Sequence, residues 1–321
     1  MKKKVSCHVI TYNHINYISL CIEGILMQIT DFDFEIIIGD DLSTDGTREI
    51  LERYAFQYPN LIKLNLRAER GQGIPGKDNF VSTLQMCKGE YITLCDGDDY
   101  WTDPYKLQKQ VDFLEANPDY VLSFHKVKIL KPDGSLVLDF ITKVPENYET
   151  QETLARLGNY IHTPSVVFRN IIKEFPKEFS LSPIGDYFLY MLLVEHGKLN
   201  YLEDEMAVYR DGVGVWSAQS NYSRNLKTAY THSLIVSALS KNEFIESILK
   251  DRVLGFIKTF QSEIQPNDLH QLNTCSFMEK EIYACLSSIK FESQNSELLY
   301  NFTTKELIKA VVKRIKKRIW K

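Results

Sequence analysis

Apolar and polar positions along the first third of the chain switch repeatedly between strand and helix spacing. Val5–Ile10 is a short apolar run broken by Asn13-His14. Ile18, Leu20, Cys21, Ile25 and Leu26 then recur at helical spacing and predict a helix to about Gln28. Phe34–Ile38 is strongly β-prone and ends at Gly39-Asp40-Asp41, while Ile50, Leu51, Tyr54 and Phe56 predict a helix closed by Pro59. Leu61–Leu66 alternates as a strand, residues 67–77 form a polar, Gly-rich loop, and Asn79–Lys88 reads as a helix stopped by Gly89. Tyr91–Cys95 is the next buried strand and runs straight into Asp96-Gly97-Asp98-Asp99. Short apolar strands alternating with helices predict an α/β fold with a doubly wound, mostly parallel sheet. Ligands of such sheets sit beyond the carboxyl ends of the strands. Here those ends are Thr11-Tyr12-Asn13, Asp40-Asp41 and Asp96–Asp99, three polar clusters that read as one site.

The second half is less regular. Residues 104–117 predict a helix, and Tyr120–Leu130 and Ser135–Phe140 flank the turn signal Lys131-Pro132-Asp133-Gly134, predicting a hairpin. Thr163–Arg169 reads as a strand, Asp186–His196 as an apolar helix stopped by Gly197, and Leu199–Tyr209 as a strand. From Tyr222 onward the pattern is helical, with a polar interruption at 264–273. This divides the chain into an α/β domain over 1–217 and a helical region over 218–321.

Composition narrows the class. The 321 residues are 44% hydrophobic and 25% charged, which excludes a disordered or collagen-like chain. No apolar run approaches the roughly 18 residues of a membrane span, and the apolar stretch after Met1-Lys2-Lys3-Lys4 is too broken for a signal peptide. The expected setting is cytoplasmic. Six cysteines form no CxxC pair and read as buried free thiols. Charge is uneven: residues 305–321 hold eight Lys/Arg against one acid, Glu306, leaving 30 Lys/Arg against 41 acids elsewhere. An acidic body argues against nucleic acid as a partner. In the tail, Leu307, Ile308, Val311, Val312, Ile315 and Ile319 line one helical face, with Lys309, Lys313, Lys316 and Lys317 mainly off it and Trp320 at the end. That pattern suits docking on an anionic membrane surface, or equally a terminal helix packed on its own domain.

The aspartates carry the chemistry. Three carboxylates at one strand end raise one another's pKa unless a cation intervenes, and Mg²⁺ or Mn²⁺ bridging to a diphosphate satisfies them. An acidic turn without a ligand explains the triplet alone, but the second acidic pair at another strand end favours a site. Asp41-Leu42-Ser43-Thr44-Asp45-Gly46 with Glu52 also approximates a calcium loop. The preceding segment is a strand, however, where an EF-hand needs a helix. Thr44 or Asp45 instead caps the helix beginning near Thr47.

Four stretches, VSCHVITYNH, EIIIGDDLSTDGT, GEYITLCDGDDYWTDPYKL and GDYFLYMLLVEHGKLNYLEDEMAVYRDGVGVWS, together resemble the family 2 glycosyltransferases over about residues 5–217. The resemblance implies a GT-A fold, with a Rossmann-like nucleotide-binding half. It implies inverting transfer from a nucleotide-sugar, usually UDP-linked, with Mn²⁺ or Mg²⁺, to a glycan or lipid-linked acceptor. By the same resemblance Thr11, Tyr12 and Asn13 meet the nucleotide, with Tyr12 stacking on the base. Asp41 accepts from the base and Asp40 supports it. Asp98 binds the metal, Asp96 lies near the ribose or the metal, and Asp99 can exchange roles with either. Asp186 is the base that deprotonates the acceptor hydroxyl. Lys77 and Asn79, in the loop before the fourth strand, reach toward base or diphosphate or are merely solvated. One departure stands out: Tyr209-Arg210 is followed by Asp211-Gly212-Val213-Gly214, without the histidine that the family often has there. Arg210 or a water takes that role, or the metal shell differs, and His125 and His162 read as structural. A glycosidase also uses paired carboxylates but needs no base-stacking tyrosine. A nucleotide-sugar-binding module without turnover and a membrane-docking scaffold are the non-enzyme readings.

Overall fold

A computed structural model describes residues 3–71, 73–214, 221–239 and 242–263. The basic tail, Cys275, Cys285, Trp216 and Ser217 lie outside the described residues. The elements are β1 (Val5–Thr11), α1 (Ile18–Leu26), β2 (Phe34–Asp40), α2 (Thr47–Gln57), β3 (Ile62–Leu66), α3 (Lys77–Met86), β4 (Tyr91–Asp96), β5 (Tyr100–Trp101), α4 (Lys106–Ala116), β6 (Tyr120–Leu130), β7 (Leu136–Leu138), α5 (Gln151–Leu157), β8 (Val167–Arg169), α6 (Lys177–Leu181), α7 (Gly185–Leu193), β9 (Lys198–Arg210), α8 (Asn221–Ala238) and α9 (Glu243–Glu263).

The sheet runs β3-β2-β1-β4-β8-β6-β9-β5, with β7 added to β6. β1, β2, β3 and β4 are parallel, and the apolar run Ile36–Ile38 of β2 suits a strand covered on both faces. Beyond β4 the sheet is mixed: β8 is antiparallel to both β4 and β6, while β6 and β9 are parallel. The hairpin expected at Lys131–Gly134 is present, pairing Lys128 with Leu138. Thr163–Arg169, expected as one strand, is a 3-10 turn at Thr163–Ser165 followed by the three-residue β8; Pro164, which has no N–H to give a ladder, sits in that turn.

The chain separates into two compact units. One comprises residues 1–71, 75–174 and 189–218, and contains the whole sheet; the other comprises 72–74, 175–188 and 219–321. The core of the first gathers Val5, Cys7, Val9, Ile36, Ile38 and Cys95 from the strands with Ile18, Cys21, Ile22 and Ile25 from α1. Gly24 lets α1 settle on β5: a Cβ there would lie 2.9 Å from the Trp101 backbone N and O. In the second unit Phe179 packs between Phe175 and Phe188, and His232 lies against Tyr187 and accepts from Arg252 Nε at 3.0 Å. Cys7, Cys21, Cys87 and Cys95 are buried and free, as expected. Among the described residues no helix is long and apolar enough to cross a membrane.

Lys106 is fully buried at the start of α4, its Nζ 4.2 Å above the Trp101 ring and 3.3 Å from Thr93 Oγ1. Burial pushes its amine down to about 7, so an ammonium that the unfolded chain keeps to about pH 10.4 is disfavoured in the fold. Between pH 7 and the unfolded value the unfolded chain therefore binds the extra proton, and stability from this group rises with pH. Lys106→Met should raise the melting temperature, and by more at pH 7 than at pH 8.5. Melts of the two proteins that stay parallel across that range would exclude a neutral buried amine.

Candidate functional site

The carboxyl ends of three neighbouring strands meet by register. Thr11 at the end of β1 stands opposite Asp40 at the end of β2, and Ile10 stands opposite Asp96 at the end of β4. The loops that follow are stitched together. Asn13 N donates to Ser43 Oγ at 2.9 Å, and Thr44 N to Asn13 Oδ1 at 2.8 Å. Asn13 (φ 55°) and Leu42 (φ 65°) are both left-handed. Asparagine takes that conformation readily, whereas leucine is strained in it. Asp40 is wholly buried and its carboxylate is engaged by Ser43 and by Arg48 Nε at 2.5 Å; it shapes the turn. The N-cap of α2 is Gly46 and not Thr44 or Asp45, although Asp45, one residue ahead of it, accepts from Thr47 N at 3.0 Å.

Asp41 is turned to the opposite purpose. Its side chain is buried, Oδ1 makes no hydrogen bond among the described residues, and Arg67 and Arg70 stand 3.4 and 3.5 Å away. Burial raises its carboxyl above the usual value against the pull of Arg70 and Arg67. The Arg70 guanidinium lies 3.7 Å from the centre of the Tyr12 ring. Neither arginine was singled out from the sequence. A signal was available: Arg67 directly follows β3, whose last residue, Leu66, pairs with Asp40. Lys77 and Asn79 lie in the first turn of α3 rather than in a loop. Both are buried, with Lys77 Nζ over the Phe80 ring and Asn79 Nδ2 donating to Gly39 O at 2.9 Å. That bond is close-fitted, since a Cβ at Gly39 would meet Asn79 Oδ1 at 2.5 Å.

The acidic turn after β4 is drawn in by Gly97 N donating to Ile10 O at 2.9 Å and Asp99 N donating to Asp96 O at 2.9 Å. Asp98 and Asp99 are both buried. Arg210, at the end of β9, fastens the turn: its N–H reaches Asp99 Oδ1 at 2.8 Å and its Nε reaches Asp98 O at 2.9 Å. Its guanidinium also stacks 4.4 Å over Tyr17. Asp99 Oδ2 and Thr11 Oγ1 are buried and have no hydrogen-bond partner among the described residues. Burial, with the charges of Asp98 and Asp96 beside it, pushes the Asp99 carboxyl well above the usual carboxylate range. Among the described residues no group of three His, Cys, Asp or Glu side chains is gathered to hold a metal. The orphaned Asp99 oxygen nonetheless fits an ion shared between one or two carboxylates and incoming phosphates, the usual manner of Mg²⁺.

The first unit thus brings Thr11, Tyr12, Asn13, Asp40, Asp41, Lys77, Asn79, Asp96, Asp98 and Arg210 to one end of the sheet. Asp186 belongs to the second unit, half-buried in the first turn of α7, where its charge suits the helix dipole.

The model of the family described as "Glycosyl transferase family 2" matches residues 6–175. The chain belongs to that family. An uncharacterized protein of Mycobacterium tuberculosis is 38% identical over 209 residues, 64% of this chain and 59% of that protein. The chain thus spans about three-fifths of the length of that relative. Of solved structures, Staphylococcus aureus TarS in complex with UDP aligns over 96% of this chain and 89% of its own at 18% identity, with a TM-score of 0.58. A mannosyltransferase of Pyrobaculum calidifontis in complex with GDP-Man and Mn²⁺ aligns over 99% of this chain and 88% of its own at 16% identity, with a TM-score of 0.52. The shared architecture is the GT-A fold, the one the sequence resemblance implied.

Proposed function

We propose that the protein is an inverting glycosyltransferase that moves a sugar, of hexosyl or N-acetylhexosaminyl type, from a nucleotide-sugar to a hydroxyl of a surface glycan or lipid-linked acceptor. The observation that carries this is the meeting of a base-sized aromatic and a buried acid, Tyr12 and Asp41, with the Arg210-held Asp96–Asp99 turn at adjoining strand ends. UDP and GDP-Man in the structural neighbours support a nucleotide-sugar donor, and Mn²⁺ in one of them supports a divalent ion.

In this reading Tyr12 stacks on the base while Asp41 accepts from it, which calls for Arg70 to leave Tyr12. Thr11 and Asn13 shape the nucleotide's edge, and Lys77 and Asn79 set the wall behind it. Asp96 lies at the ribose, and Asp98 with Asp99 faces the diphosphate, where Mn²⁺ or Mg²⁺ would neutralise charge developing on the leaving group. Arg210 keeps the turn in place. Asp186 takes the proton of the acceptor hydroxyl as its oxygen bonds to the anomeric carbon and the bond to the diphosphate breaks, inverting that centre. The test is a screen of nucleotide-sugars with Mn²⁺ and Mg²⁺, scored by nucleoside-diphosphate release with and without saccharide acceptors. Acceptor-stimulated release supports transfer. Tight donor binding without release by any donor would leave a binding module.

The basic amphipathic pattern of residues 305–321 supports peripheral docking on an anionic leaflet, at about 1 kcal/mol per basic residue near the surface. The full chain should sediment with anionic liposomes at low salt and be released at high salt, whereas a chain ending at Thr304 should stay in solution. Equal sedimentation of the two would refute the docking role.

A further inference from the structure

His14 follows Asn13 in the loop between β1 and α1, and its backbone is fixed: its carbonyl accepts from Tyr17 N and Ile18 N, both at 2.9 Å. Its ring is wedged against the acidic turn. A Cβ added to Gly97 would lie 3.0 Å from His14 Nδ1 and 2.9 Å from Thr11 Oγ1, so both side chains close on the Gly97 backbone where no larger residue fits. Nδ1 is buried there and has no hydrogen-bond partner among the described residues. The other nitrogen, Nε2, makes no hydrogen bond among the described residues. The charged groups that face the ring are Asp98, Asp45, Arg210 and Asp40, and Tyr17, on which Arg210 stacks, lies edge-on at 6.1 Å. An imidazole held this firmly, with neither nitrogen hydrogen-bonded among the described residues, differs from a satisfied core histidine. Beside it, Asp99 Oδ2 and Thr11 Oγ1 are likewise buried without a hydrogen-bond partner among the described residues, so three polar atoms converge on the acidic turn.

We infer that His14 is a binding residue for the phosphate groups of a nucleoside diphosphate, donating from Nε2 to a phosphoryl oxygen, while Asp98 and Asp99 face the accompanying cation. This rests on the donor reading given above. It explains the division of polar groups around the turn: carboxylates are poor neighbours for a phosphate unless a cation lies between, and His14 adds a hydrogen-bond donor that needs no cation. It also explains why Gly97 lies between Asp96 and Asp98: any side chain there would push the ring away from the turn.

The test separates phosphate contact from structural support. Of UDP, GDP and CDP, the diphosphate that binds the wild type tightest is titrated by calorimetry, in EDTA and in Mn²⁺, alongside its own nucleoside followed by ligand-observed NMR. His14→Ala should weaken the diphosphate roughly 10- to 100-fold in both conditions, the scale of a hydrogen bond to a charged group, and leave the nucleoside within about twofold. His14→Gln, whose amide nitrogen reaches the place of Nε2, should recover most of the loss; His14→Asn, which mimics Nδ1, should not. Equal weakening of nucleoside and diphosphate would make His14 structural and overturn the inference. So would unchanged diphosphate affinity, or a loss confined to Mn²⁺ with disappearance of a nitrogen coupling in the Mn²⁺ resonance, which would make it a metal ligand instead. A wild type that binds none of the three diphosphates would fail the donor reading itself, a result distinct from all of these.

Discussion

Asp186→Asn should lower sugar transfer by about 10²- to 10⁴-fold, the usual contribution of a positioned general base, with nucleotide affinity changed less than a few-fold. The amide keeps the shape of the carboxylate in the first turn of α7 and removes only its basicity. A base acts on the hydroxyl proton as the bond to carbon forms, so the loss belongs in kcat and not in donor binding. Single-turnover transfer and diphosphate titration on the same preparation check both halves. Near wild-type transfer by the mutant would move the base elsewhere, with Glu203, Asp204 and Glu205 on β9 as the next acids to replace. Of these, Asp204 already pairs with Lys109 at 2.6 Å and Glu205 with Lys128 at 3.1 Å.

Asp98→Asn should abolish most of the gain in nucleotide affinity that Mn²⁺ or Mg²⁺ confers, by at least the roughly 10- to 100-fold that losing even an outer partner of a metal ligand costs. Affinity in EDTA should stay close to wild type. Asp98 is buried, so the fold must be checked as well. The main support of the turn is spared: Arg210 binds the Asp98 carbonyl and the Asp99 carboxylate, neither of which the substitution touches. Unchanged metal dependence in a mutant with the wild-type melting temperature would shift the ligand role to Asp96 or Asp99.

The parallel half of the sheet was legible because its strands declare themselves. Ile36, Ile37 and Ile38 in a row, and Tyr91–Cys95 with no polar residue but Thr93, suit only strands covered on both faces. The mixed half was not. Thr163–Arg169 has strand composition, but only a neighbour on each side decides how much of it pairs, and Thr93 Oγ1 donating to Val166 O at 2.6 Å is information no local window holds. The same limit applies to the site. Aspartates in a turn after a buried strand can be read directly, since their spacing along the chain is their spacing in the turn. Arg67, Arg70 and His14 come from other loops, and their approach to Asp41, Tyr12 and Gly97 depends on the order of the strands. Asp40 and Asp41 show the subtler case: adjacent and identical in sequence terms, yet Asp40 is bonded by Ser43 and Arg48 while Asp41 stands beside Arg67 and Arg70.

On the proposed reading, in which a base stacks on Tyr12, the stack of Arg70 on that ring makes ligand entry an exchange and not an addition. A planar cation rests on the ring, with its Nε 3.5 Å from Asp41. The apparent affinity for a nucleotide would then be its intrinsic affinity scaled by the fraction of molecules in which Arg70 has swung aside. Compounds that reproduce the resting occupant, an aryl ring bearing a guanidinium or amidinium group, would compete with the protein's own side chain on its own terms. They would also owe nothing to the diphosphate or the cation. Such ligands would tell members of this family apart by what covers the aromatic ring at rest, a property that comparisons of nucleotide-bound forms alone would miss.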